Sequence, residues 1–77
     1  MTLDCLKFRG IAKHGKKLIA LLQDDRGKSY RVSRGEPIGE NDGRLDEITP
    51  SRLTITQLVP DGDGGWVEQR RYMLRNQ

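Results

Sequence analysis

The 77 residues contain one cysteine, Cys5, so neither an internal disulfide nor a cysteine-built zinc site can form. Aromatic residues amount to 5% of the chain, namely Phe8, Tyr30, Trp66 and Tyr72. A small core is expected to claim three or four of them, leaving few platforms on which nucleic-acid bases can stack. The longest apolar run, Leu18 to Leu22, is five residues, far short of the ~20 needed to cross a bilayer as a helix. No apolar h-region follows Met1, which leaves a cytoplasmic chain and an excised domain as the alternatives. Hydrophobic residues make up 34% against the ~45–50% usual for globular domains, so the core must be drawn from few positions.

Catalysis lacks its usual parts. His14 is the only histidine and stands in the turn-forming cluster His14-Gly15-Lys16, where a solvated side chain is expected. Asp61-Gly62-Asp63-Gly64-Gly65 opens like a calcium loop, but the twelfth position counted from Asp61 is Tyr72 where a bidentate glutamate is required. The same glycines do not complete a dinucleotide fingerprint, because the third falls at Val67; they read as a flexible hairpin connection. Asp46 and Glu47 are strand neighbours that point to opposite faces, and Asp24-Asp25 has the composition of a turn. No enzyme, cofactor or metal is expected.

What is present is charge and turn punctuation. Charged residues make up 32%, with a net charge of +3 and a pI near 9.4. Their distribution is uneven. Residues 1–38 carry nine basic and four acidic groups, residues 39–69 two and seven, and residues 70–77 three basic groups alone. Two regions of opposite potential are suited to orienting a protein partner. Turn clusters at 14–16, 24–27, 34–43, 49–52 and 60–65 divide the chain into short runs, which predicts an antiparallel all-β domain of about six strands. The predicted strands are 6–13, 17–23, 28–33, 43–49, 53–59 and 66–74, within a single domain over 6–75, with 1–5 a terminal segment and 76–77 a tail. Propensity in 17–23 favours a helix, but the flanking turns leave a span that suits a buried central strand. Leu6, Phe8 and Ala12 are expected on the core face of the first strand, and Ile11 on its charged face. Trp66, Tyr72 and Leu74 oppose Val67 and Met73 in the last strand, which suggests a bulge there.

Two functional classes fit a basic β-domain. In one, Lys7, Arg9, Arg31 and Arg34 share an exposed sheet face that tracks the phosphates of single-stranded nucleic acid, as on a small basic β-barrel. In the other, edge strands of an open sandwich bind a protein partner by strand addition, with the first strand and its Lys7, Phe8, Arg9 and Ile11 leading. Gly35, Gly39 and Gly43 are positions for positive φ in a loop of defined shape, and Asn41 tolerates it too; this loop joins the two halves and can present Arg34, Ile38 and Asn41.

The order of motifs favours the protein partner. Gly10 is followed by Tyr30-Arg31-Val32, then Ile38-Gly39-Glu40-Asn41-Asp42-Gly43-Arg44-Leu45, Glu47-Ile48-Thr49, Leu53-Thr54-Ile55, Asp61-Gly62 and Gly65-Trp66-Val67. This succession strongly resembles the C-terminal domain of the PilP family of type IV pilus assembly lipoproteins, and more distantly the homology region of GspC-type proteins of type II secretion. Pro37 and Ile38 depart from the family's acidic-and-apolar pair, and Glu40 and Asp42 make the loop more acidic. The resemblance implies a six-stranded antiparallel β-sandwich of two short sheets in the periplasm, associated with the inner membrane in the full-length parent. It implies a non-enzymatic connector between the PilN/PilO inner-membrane subcomplex, contacted through a segment outside this one, and the periplasmic N-terminal domain of the secretin. Nucleic acid is not among the partners it implies. No lipobox precedes Cys5, which is therefore not read as a lipidation site.

Overall fold

A computed structural model describes residues 3–39 and 42–75. Each run between turn clusters is a strand: β1 (Leu6–His14), β2 (Lys17–Asp24), β3 (Ser29–Ser33), β4 (Arg44–Ile48), β5 (Arg52–Pro60) and β6 (Trp66–Leu74), preceded by a single 3-10 turn at Leu3–Cys5. The strands form two three-stranded antiparallel meanders, β1-β2-β3 and β4-β5-β6, and the molecule measures 42 × 30 × 17 Å. A thickness of 17 Å is that of two sheets packed about 10 Å apart. The expected two-sheet sandwich is thus the fold, and 17–24 is a strand because both of its neighbours pair with it along most of its length.

The core lies between the sheets. Phe8, Ala20 and Leu22 from the first sheet meet Leu45, Leu53 and Ile55 from the second, all at most 2% exposed. Leu3 and Ile38 seal its ends at 7% and 5% exposure. The core therefore takes in Leu3, ahead of the domain start expected at residue 6. Ile38, expected to face a partner, is inward because backbone bonds hold its loop to β4: Gly35 N–H donates to Leu45 O, Leu45 N–H to Glu36 O, and Ile38 N–H to Gly43 O. Gly39 is required there, since its φ is +69° and a Cβ would lie 2.8 Å from the Leu3 side chain. Gly43 does not take the expected positive φ; Asp42 does, at 52°. Asn41 lies outside the described residues.

The two meanders repeat one plan. Their first strands, β1 and β4, carry a register shift at Arg9 and at Asp46. Their second hairpins use the same aspartate-centred turn. Asp24 Oδ1 accepts from the N–H groups of Arg26 and Lys28, and Asp24 N–H donates to Lys28 O; Asp61 Oδ1 accepts from Asp63 and Gly65, and Asp61 N–H donates to Gly65 O. Gly27 and Gly64 occupy the fourth position with φ +85° in both. The loop at 61–65, expected to be flexible, is thus tied by its own aspartate.

Both carboxylates titrate below the ordinary aspartate range. Partial burial raises Asp24, but bonds from the Lys28 backbone, the Tyr30 hydroxyl and the Arg26 backbone, with the charge of Lys28, prevail. Backbone bonds from Asp63 and Gly65 lower Asp61 against a smaller effect of burial. A pKa depressed by folding contributes stability that is present above the unfolded-state value and is lost as pH falls through the folded-state value. The thermal midpoint, followed by circular dichroism, is expected to fall once pH drops below the ordinary carboxylate range. In an Asp24→Asn/Asp61→Asn double variant that acid limb should be shallower, because an amide oxygen closes the turn without titrating.

Candidate functional site

Cross-strand partners share a face, so the register assigns every side chain of the first sheet. Ala20 and Leu22 face the core, as do their β3 partners Val32 and Tyr30. Ile19, Leu21 and Gln23 therefore face away from it, together with Ser33, Arg31 and Ser29. On β1 the shift at Arg9 decides the matter. Phe8 opposes Leu22 and Gly10 opposes Leu21, so Arg9 is the extra residue and the alternation slips by one. Ile11 consequently opposes buried Ala20 and packs against the core, correcting its expected place on the charged face. Ala12, expected to face the core, turns outward opposite Ile19.

The outcome is an outer sheet face with a partly exposed apolar stripe, Ala12, Ile19 and Leu21, flanked by cations. Lys7 lies opposite Gln23, Arg31 lies opposite Leu21, and Arg9 donates from Nε to Gln23 Oε1 at 3.2 Å. Gln23 in turn donates to Gly27 O at 3.2 Å, which couples the orientation of Arg9 to the Asp24 turn. Arg75 adds a fourth cation: its guanidinium lies 3.6 Å from where a Gly10 Cβ would stand, beside Leu21, and it donates to Pro50 O at 3.2 Å. Ion pairs among the described residues join Arg52 to Glu47 and Arg71 to Asp4, and none of them engages these four cations.

The other expected site residues are elsewhere. Phe8 is 0% exposed and is a core residue. Arg34 donates from Nε to Asp46 O at 3.0 Å and lines a different groove, where Lys16, Lys17, Asp46 and Glu47 converge between the hairpin tip and β4. Sequence reading missed Ile19, Leu21 and Arg75. The signal for the first two was the unbroken run Leu18 to Leu22: an apolar run suits a strand covered on both faces, and β2 is covered on one. Arg75 gave no local signal, because its place depends on its contact with β1 across the two sheets.

β1 is an edge strand, as expected, but a blunted one, since it is bulged at Arg9 and met at Phe8 by a parallel bridge from Arg75. The expectation that most aromatic residues enter the core is also corrected. Phe8 alone is fully buried, Tyr30 is partly buried, and Trp66 and Tyr72 are 68% and 55% exposed. β6 pairs with β5 residue for residue with no bulge; the mixed pattern arises because its outer face is left uncovered. Among the described residues no three His, Cys, Asp or Glu side chains converge as a metal site.

The chain is thus a two-layer antiparallel β-sandwich that carries a cation-rimmed apolar stripe on one outer face. The model of the family described as pilus assembly protein PilP matches residues 1–74, and this chain belongs to that family. It is 38% identical over 70 residues to the type IV pilus inner membrane component PilP of Pseudomonas aeruginosa, covering 91% of this chain and 40% of that protein. Its structure is similar to a domain of the P. aeruginosa type IV pilus biogenesis lipoprotein PilP, at a TM-score of 0.85 and 27% identity over 96% of this chain and 84% of that one. It is also similar to a domain of the Neisseria meningitidis PilP pilot protein, at a TM-score of 0.78 and 31% identity over 97% of this chain and 66% of that one.

Proposed function

We propose that this chain is a non-enzymatic docking domain of the type IV pilus machinery. It acts in the periplasm, within a parent associated with the inner membrane, and links a PilN/PilO-type inner-membrane subcomplex to the periplasmic N-terminal domain of the secretin. The observation that carries this reading is the outer face of the first sheet, where Lys7, Arg9, Arg31 and Arg75 surround Leu21 and stand apart from the Arg52–Glu47 and Arg71–Asp4 ion pairs. Apolar contact there supplies affinity, and the cations select and steer an acidic partner. Beside this face, β1 offers strand addition only over its short stretch beyond Ile11, which makes charge complementarity the larger contribution.

The test is a titration of the labelled chain against a secretin's periplasmic N-terminal domain and, in parallel, a single-stranded oligonucleotide, each at low and at physiological salt. The second arm is there because Trp66 and Tyr72, with Arg70 between them, present exposed rings beside a cation. Saturable secretin binding that weakens modestly with salt is expected. Binding to the oligonucleotide alone, lost steeply as salt rises through counterion release, would overturn the proposal.

A further inference from the structure

The sandwich has four edge strands, and three are blunted. β1 is bulged and partly bridged, β4 is bulged at Asp46 and hydrogen-bonded along its free side by the loop at 35–38, and β3 is five residues long with Arg31 at its middle. β6 carries charge at its middle, at Glu68, Arg70 and Arg71, but among the described residues it has no bulge, no covering loop and a full-length run. It runs nine residues without bulge, proline or glycine, and the bridge to β1 falls just beyond it, at Arg75. A long flat edge with exposed aromatic side chains is a template for another strand.

The sequence of that edge fits itself. In an antiparallel pair related by a twofold axis normal to the sheet, outer-face residues oppose outer-face residues, so the axis must pass through a residue. Centring it on Glu68, Arg70 or Arg71 places like charges face to face. Centring it on Gln69 places Glu68 opposite Arg70 and Trp66 opposite Tyr72, and symmetry makes each pair twice. This register uses residues 66–72 only, so it leaves the junction with β1 intact, and Asp4 already holds Arg71 on the inner face at 3.5 Å. We infer that the β6 edge is a self-association site at which two copies of this chain pair antiparallel about Gln69, joining their second sheets into one of six strands. The inference is independent of the basic face of the first sheet.

The experiment is sedimentation equilibrium of the 77-residue chain from the micromolar range to about 1 mM, since a single strand pair buries little surface and gives a weak dimer. Wild type is expected to show a monomer–dimer equilibrium. Glu68→Arg sets arginine against Arg70 in both symmetry-related pairs, and Arg70→Glu likewise sets glutamate against Glu68 in both. Each change should weaken the dimer by about 10- to 30-fold while the circular dichroism spectrum and thermal midpoint hold. An equimolar mixture of the two variants should restore it as a heterodimer, because every charged pair is then opposite in sign. A wild-type chain that is monomeric throughout, a dimer indifferent to both changes, or a mixture that fails to associate would each overturn the inference.

Discussion

Phe8→Ala is expected to remove a large share of the stability of the fold. Phe8 is 0% exposed, opposes Leu22 across β1 and β2, and is the point at which Arg75 bridges the first sheet to the second. Truncating a buried phenylalanine costs about 3–5 kcal/mol in lost transfer energy and residual cavity. A domain of this size is stable by roughly 4–12 kcal/mol in all. At about 4–8 °C per kcal/mol for a small domain, the midpoint should fall by roughly 12–40 °C in a thermal melt followed by circular dichroism. Trp66→Ala removes a larger ring that is 68% exposed and should change monomer stability by no more than about 0.5 kcal/mol. The contrast is a sharp one because side-chain size alone ranks the two the other way. A Phe8→Ala chain that melted like wild type and lost only partner binding would give Phe8 the surface role expected of it as a partner residue beside Lys7, Arg9 and Ile11, in place of its core-face one.

That surface role marks where sequence reading stops. Strand number and the strand at Lys17–Asp24 are local properties: turn-forming residues punctuate the chain and period-two alternation runs between them, so both were legible, whereas the order of strands within each sheet was not. The Arg9 bulge is not local. It is stabilised by what the shifted register buries, and nothing in Lys7-Phe8-Arg9-Gly10-Ile11 states that Ile11 will face Ala20. β6 fails in the opposite direction. Apolar residues on both of its faces suggest a bulge only on the assumption that every large apolar residue must be covered within the chain; Trp66, Tyr72 and Leu74 are uncovered. The basic site was half legible for the same reasons. Lys7, Arg9 and Arg31 follow from alternation within single strands, whereas the burial of Ile38 and the position of Arg75 depend on contacts that only the assembled sandwich creates. The shared Asp-x-x-Gly turn at Asp24 and Asp61 was fully written in the sequence, yet its meaning is visible only once both are seen closing equivalent hairpins.

Reversing the three cations of the outer face, Lys7→Glu/Arg9→Glu/Arg31→Glu, should raise the dissociation constant for the acidic partner by about 100-fold at low salt. Each exposed pair is worth ~0.2–1 kcal/mol, and reversal replaces attraction by repulsion, so three together reach about 2–4 kcal/mol. Most of the loss should lie in the association rate, which these charges steer, and it should shrink as salt shortens the Debye length. Leu21→Asp attacks the apolar stripe instead and should act on the dissociation rate with little salt dependence. All three cations are exposed and outside the core, so the melting curve of the triple variant should match wild type within a few degrees. Net charge is a separate variable, and Lys13→Glu/Lys16→Glu/Lys28→Glu changes it equally at the hairpin ends. That control is expected to keep most of the binding, as is Arg34→Glu, whose side chain is tied to Asp46 in another groove. Should the control lose as much affinity as the outer-face variant, attraction by overall charge would replace this face as the explanation. If only the outer-face variant and Leu21→Asp lose it, the partner is seated on the stripe between β1 and β3.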